Sequence, residues 1–94
     1  MELNELDLNL LLTFNELMSV RKVSQAAENL SLSQPAVSNA LNRLRTLLGD
    51  ELFQRTSTGM KPTPFAEQLA EPIAYALGSI KEALNQRVEF NSLQ

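Results

Sequence analysis

Ser33-Gln34-Pro35-Ala36-Val37-Ser38-Asn39-Ala40-Leu41-Asn42-Arg43-Leu44 is a helix whose start is written into it. Ser33 is a strong N-cap, and Pro35 falls in the first turn, where its missing N–H removes no hydrogen bond. Leu32 and Val37 occupy the N′ and N4 positions of a hydrophobic staple. The pattern runs on to Leu48, and Gly49 is a natural left-handed terminator. At about 100° per residue from Gln34, the residues Val37, Ala40, Leu41, Leu44, Leu47 and Leu48 fall between roughly 220° and 340°. That is one continuous core-facing stripe. Pro35, Ser38, Asn39, Asn42 and Thr46 lie opposite, with Arg45 and Arg43 on the two flanks.

The outer face carries no acid from Gln34 to Thr46. An ordinary solvated face mixes Glu with Lys. Neutral hydrogen-bonding groups between two cations suit the DNA major groove, with base edges on its floor and phosphates along its walls. Gln34 holds the N-terminal position from which a recognition helix enters the groove.

Upstream, Asp7 caps a first helix that ends near Ser19, with Leu6 and Leu11 as its staple. Leu8, Leu11, Leu12, Phe14, Leu17 and Met18 recur at helical spacing. Ser24 is expected to cap a short second helix, Gln25 to Leu30, whose Ala26 and Ala27 allow close helix approach. Two short helices joined by a few residues, the second opening Ser-Gln-Pro, form a helix-turn-helix pattern.

Downstream, Leu52 to Thr56 reads as a strand, Ser57-Thr58-Gly59 as a turn and Met60-Lys61-Pro62 as the return, which Pro62 must end. Thr63 caps a fourth helix with Pro64 at N1. Phe65, Leu69, Ile73, Ala76, Leu77, Ile80 and Leu84 share one side of it, and Glu67, Gln68, Glu71, Lys81 and Glu82 the other. A stripe running from Thr63 to Gln86 is too long for a small head to cover. A second copy of the chain is the self-complementary partner. The competing expectation is a helix folded back on its own head.

Composition narrows the function. With 94 residues the chain is one small domain, or a small domain with an appendage. It has no Cys and no His, which excludes disulfides, thiolate or imidazole metal sites, and the Ser-His-Asp triad. No apolar run approaches the ~20 residues of a membrane span, and the start lacks the basic and apolar regions of a signal peptide. A cytoplasmic module without a cofactor is expected. The net charge is −3, yet residues 21–61 hold six Lys or Arg against three acids, and the remainder holds two against eight. A basic middle is a patch that attracts a polyanion.

The stretch Ser33 to Leu44 resembles the recognition-helix signature of LysR-type transcriptional regulators. Asp7-Leu8-Asn9-Leu10-Leu11 resembles the first-helix start in the subgroup holding nodulation regulators, salicylate-responsive regulators and LeuO-like proteins. Ala26-Ala27 with Leu30, Asp50-Glu51-Leu52-Phe53 and Pro62-Thr63-Pro64 match further blocks, so the resemblance runs from about Leu6 to Leu84. It implies a mainly α, winged helix-turn-helix head over residues 1–62 and a dimerising linker helix over 63–87. Residues 88–94 would then start the connection to an absent effector-binding domain, the only place for a small-molecule effector.

It also implies double-stranded operator DNA as partner, with a homodimer on an interrupted inverted repeat and a tetramer in the full-length regulator. By the same resemblance Gln34, Pro35, Ser38, Asn39 and Asn42 read bases, and Ser24, Ser33, Arg43 and Arg55 contact the backbone. Many members carry a basic residue where Asn39 stands, and Phe65-Ala66 replaces a frequent pattern ending in Gly after Thr63. A helical protein–protein adaptor is the alternative. It would expose aromatic or aliphatic anchors on the third helix, and this helix has none there. An enzyme is disfavoured, since Asp50 and Glu51 read as turn residues.

Overall fold

The computed structural model describes the backbone of residues 1–92 and the side chains of residues 1–86. A short 3-10 turn, Leu3–Glu5, precedes α1 (Leu8–Val20), α2 (Val23–Leu30) and α3 (Gln34–Leu48). The strands β1 (Phe53–Thr56) and β2 (Gly59–Pro62) follow, then α4 (Pro64–Ser92). The architecture is the expected mainly α head with a two-stranded wing and a long last helix.

Local chemistry sets most of the ends. The Asp7 carboxylate accepts from the Asn9 amide at 2.8 Å and caps α1. Arg21 closes α1 in the left-handed region at φ 61°, and its N–H donates to the Leu17 carbonyl. Ser31 closes α2 the same way at φ 58°, and the Leu32 N–H reaches back to Ala27 O at 2.9 Å in a Schellman pattern. Ser33 Oγ accepts from the Ala36 amide at 3.2 Å, and Gly49 ends α3 at φ 67°.

Three local expectations change. Ser24 does not cap α2. The chain is already extended at Lys22, so the helix starts at Val23 and Ser24 sits inside its first turn. Leu52 is not a strand residue. It lies at φ 67° because its buried side chain fills the core beneath the wing while its backbone is held at both ends. Its N–H donates to Asp50 Oδ2 at 2.8 Å, and its carbonyl accepts from the Thr63 N–H at 2.9 Å. The last helix runs to Ser92, past the expected end at residue 87, so the expected connecting segment 88–94 begins helical. Its Leu93 and Gln94 lie outside the described residues.

The core gathers Leu10, Phe14 and Leu17 of α1, Ala26 and Ala27 of α2, and Val37, Leu41 and Leu44 of α3. Leu10 joins it although the sequence stripe passed it over, while Leu8 and Leu12 remain exposed. Phe53 brings the wing onto this core, its ring centroid 5.7 Å from that of Phe14. Fully burying side chains of this size stabilises by about 1.5–3 kcal/mol each. Thr13, the one buried polar residue among those described, donates to Asn9 O at 2.9 Å and so costs little.

The wing pairs Phe53 with Pro62, Arg55 with Met60 and Thr56 with Gly59. The Met60 N–H points away from β1, to Arg21 O at 2.7 Å. Pro62, two residues on, has its nitrogen on that same outer edge, so it sits in the strand without losing a ladder bond.

Thr63 links wing and α4. Its hydroxyl donates to Asp50 Oδ2 at 2.7 Å and accepts from the Ala66 amide at 3.1 Å. Ala66 is buried, and Phe65, Leu69 and Ile73 pack against the head core, chiefly through α1. Beyond Ile73 the helix leaves the head. Ala76, Ile80 and Leu84 are exposed and Leu77 is half-buried.

Candidate nucleic-acid interface

Capping and burial together fix which side of α3 faces outward. Val37, Leu41 and Leu44 are buried, so Gln34, Pro35, Asn39, Asn42 and Thr46 are exposed and Ser38 is half-buried. All five residues expected to read bases lie on this outer side.

Strand geometry brings Arg55 to the same place. Residues paired across a hairpin share a face, and so do residues two apart. Arg55 therefore shares the face of Phe53, Met60 and Pro62, the one turned toward the helices. Phe53, Met60 and Pro62 end in the head, whereas Arg55, nearer the tip, is exposed beside α3. It lines an open groove of about 460 Å³ with Lys22, Ser24, Gln34, Thr56 and Thr58. On its other side it borders a recess with Ser38, Asn42, Arg45 and Glu51. Lys61, on the opposite face of the wing, points away from α3.

Asn39 and Arg43 line a separate recess toward α1, with Asp7, Asn9 and Leu32 among its other walls. The structure thus places one exposed arginine on each side of the outer face, Arg55 on the wing side and Arg43 on the α1 side. Arg45, expected as the flanking cation, does not fill that role. Its guanidinium is held by the backbone carbonyls of Glu51 at 2.7 Å and Phe53 at 2.8 Å, and by Asn42 Oδ1 at 3.0 Å. These hydrogen bonds hold it half-buried, and Arg55 is the exposed cation beside it.

Ser24 lies at the exposed start of α2 among amides with no intrahelical acceptor, where an anion is favoured. Ser33 Oγ accepts from Ala36, which leaves its O–H free to donate outward. Lys22, Thr56 and Thr58 are groove residues that the sequence reading did not select. Only the basic charge of residues 21–61 pointed to Lys22, and the two hydroxyls carried no signal before the wing was placed. Among the described residues no cluster of three potential metal ligands occurs, and no helix is long and apolar enough to cross a membrane.

A helix-turn-helix followed by a two-stranded wing that carries Arg55 defines a winged helix-turn-helix protein. Comparison with known proteins makes the class specific. The chain belongs to the lysR family of bacterial regulatory helix-turn-helix proteins, whose family model matches residues 8–67. It is similar to the HTH-type transcriptional activator NahR of Pseudomonas putida, at 57% identity over 93 residues, covering 99% of this chain and 31% of that relative. A probable transcriptional regulator from Pseudomonas aeruginosa has a similar structure, with a TM-score of 0.85 and 49% identity over 89% of this chain and 28% of its own. Vibrio fischeri DarR, solved in complex with DNA, matches with a TM-score of 0.79 and 27% identity over 95% of this chain and 30% of its own. The chain spans less than a third of the length of these relatives.

Proposed function

We propose that residues 1–62 are the sequence-specific double-stranded-DNA-binding head of a bacterial LysR-type transcriptional regulator. Residues 63–87 are its dimerising linker helix, and residues 88–94 lead toward an effector-binding domain. The observation that carries this reading is the outer face of α3, neutral and hydrogen-bonding along its middle, with exposed Arg43 and Arg55 on its two sides. In the major groove Gln34, Pro35, Ser38, Asn39 and Asn42 meet base edges. Ser24, Ser33, Arg43 and Arg55 meet phosphates, which fix register without reading sequence. The DNA complex of DarR supports this role for the related fold.

The stripe of α4 beyond the head, exposed Ala76, Ile80 and Leu84 with half-buried Leu77, pairs with its copy about a two-fold axis. Phe65, Leu69 and Ile73 continue it onto the head. A two-fold dimer reads an inverted repeat whose half-site spacing the helix pair sets. Assembly to a tetramer and effector binding belong to the longer regulator, which acts in the cytoplasm on operator DNA. The head itself needs neither cofactor nor catalysis.

Two measurements test the contacts. Arg43→Gln or Arg55→Gln weakens binding to every duplex alike and lowers the log–log salt slope by about 0.9 per lost phosphate contact. A titration with an unchanged slope removes that residue from the backbone set. Gln34→Ala costs about 1–3 kcal/mol on the cognate site and almost nothing on random duplex. Equal losses on both would refute base reading by Gln34.

A further inference from the structure

Arg45 has no part in the roles assigned so far, yet its guanidinium is the most heavily bonded among the described residues. Nε donates to Glu51 O at 2.7 Å, Nη2 to Phe53 O at 2.8 Å and Nη1 to Asn42 Oδ1 at 3.0 Å. Two of these acceptors are backbone carbonyls at the wing entry, so the planar fork is fixed before Asn42 is considered. Asn42 itself is exposed on the face turned to DNA.

A guanidinium has only donors, and an asparagine amide has a donor end and an acceptor end. Rotating the amide by half a turn would set its NH₂ against the Arg45 N–H, donor against donor. Arg45 therefore dictates which way Asn42 points. Oδ1 turns inward to the cation, and Nδ2 with its two N–H groups is left outward. Bidentate pairing with adenine requires Oδ1 to accept from N6 while Nδ2 donates to N7. An Oδ1 engaged by a cation is poorly placed for the first of these. The remaining donor suits guanine N7 and O6 or thymine O4, and the charge behind the amide polarises it as a donor.

We propose that Arg45 is a positioning residue that fixes Asn42 as a hydrogen-bond donor, so that Asn42 selects guanine or thymine rather than adenine. The inference rests on the DNA-binding reading above.

The experiment is selection of duplexes from a randomised pool by the 94-residue chain, its variants Asn42→Ala, Asn42→Asp, Arg45→Met and Arg45→Lys, and the Asn42→Ala/Arg45→Met double variant. The position whose preference vanishes in Asn42→Ala is the one Asn42 reads, and in the wild type it holds guanine or thymine. Arg45→Met lowers discrimination at that position about tenfold and leaves the others intact. In the Asn42→Ala background it changes nothing further there. Asn42→Asp keeps its bond to Arg45 but presents an acceptor, so the preference moves to cytosine or adenine, whose exocyclic amines donate. Arg45→Lys keeps the charge but cannot hold three acceptors at once, and shows the same single-position loss if Arg45→Met fails to fold by far-UV circular dichroism. Adenine at the Asn42 position in the wild type overturns the inference. So does an equal flattening of every position by the Arg45 variants, which is the signature of a wing support alone. A wild type that enriches no sequence overturns the DNA-binding reading itself.

Discussion

Ile80→Glu is expected to convert the protein to monomers while its head stays folded. The structure separates two uses of the apolar stripe on α4. Phe65, Leu69 and Ile73 pack on the head, and Ala66 is fully buried there. Further along, Ile80 is 44% exposed and Leu84 is 71% exposed, with none of the described residues to cover them. A second copy covers both. In a two-fold seam the introduced carboxylate would meet its own symmetry mate, and a buried, unpaired charge costs about 3–5 kcal/mol. Operator affinity then falls steeply, since a lone head makes half of the contacts. Sedimentation velocity beside far-UV circular dichroism reads both parts of the result. A variant still dimeric at micromolar concentration, or a wild type that is monomeric there, would exclude this seam. Ile73 is the poorer probe, because a charge there also disturbs the head core.

The second large effect is at Gly59. This residue sits at φ 142°, and a Cβ built on it would collide with the Arg21 carbonyl oxygen. That same oxygen accepts the Met60 N–H at 2.7 Å, so the wing rests directly on the left-handed turn that ends α1. Gly59→Ala combines a strained backbone with a collision against main chain that has no rotamer by which to retreat. The expected loss is about 2–4 kcal/mol, which in a domain of this size lowers the melting temperature by roughly 10–20 °C. Gly78 is the control. A Cβ there meets nothing within 4 Å, and replacing a mid-helix glycine by alanine stabilises by about 0.5–1 kcal/mol. Thermal melts of the two variants should move in opposite directions. A Gly59→Ala protein that melts with the wild type would mean that the wing does not dock on Arg21.

These cases also show where the sequence was informative. Asp7, Ser33 and Thr63 were readable as caps because a cap is a bond to an amide two or three residues away. The outer face of α3 was readable because its period is set by the helix alone. Leu52, Arg45 and Ser24 were not. The positive φ of Leu52 is held by Asp50 and by Thr63, eleven residues downstream. Arg45 is drawn aside by carbonyls six and eight residues away. Ser24 looked like a cap because Ser favours that position, but Lys22 turns the chain one step earlier. The stripe on α4 was legible as apolar, yet periodicity does not say which surface an apolar side meets. Only packing divides it between the head and open solvent. Likewise Arg55 could be named from its charge, but its approach to Gln34 depends on the pairing register of the wing.

The Asp50–Thr63 junction has a mechanical consequence. Thr63 is tied through its hydroxyl to Asp50 and through its N–H to Leu52, and Ala66, Phe65 and Leu69 bury the next turns against the head. The head therefore has no hinge at the wing–α4 junction and rides on α4 as on a lever arm, in which Pro72 removes one helix hydrogen bond near the point where α4 leaves the head. From Ile80 to Thr63 that arm is about 25 Å long at ~1.5 Å rise per residue. With its fulcrum at the seam, a swing of only ~10° carries each head through about 4 Å, close to the ~3.4 Å step between successive nucleotides of a strand. A small change in how two such helices cross thus becomes a shift of roughly one base pair in the spacing of the half-sites.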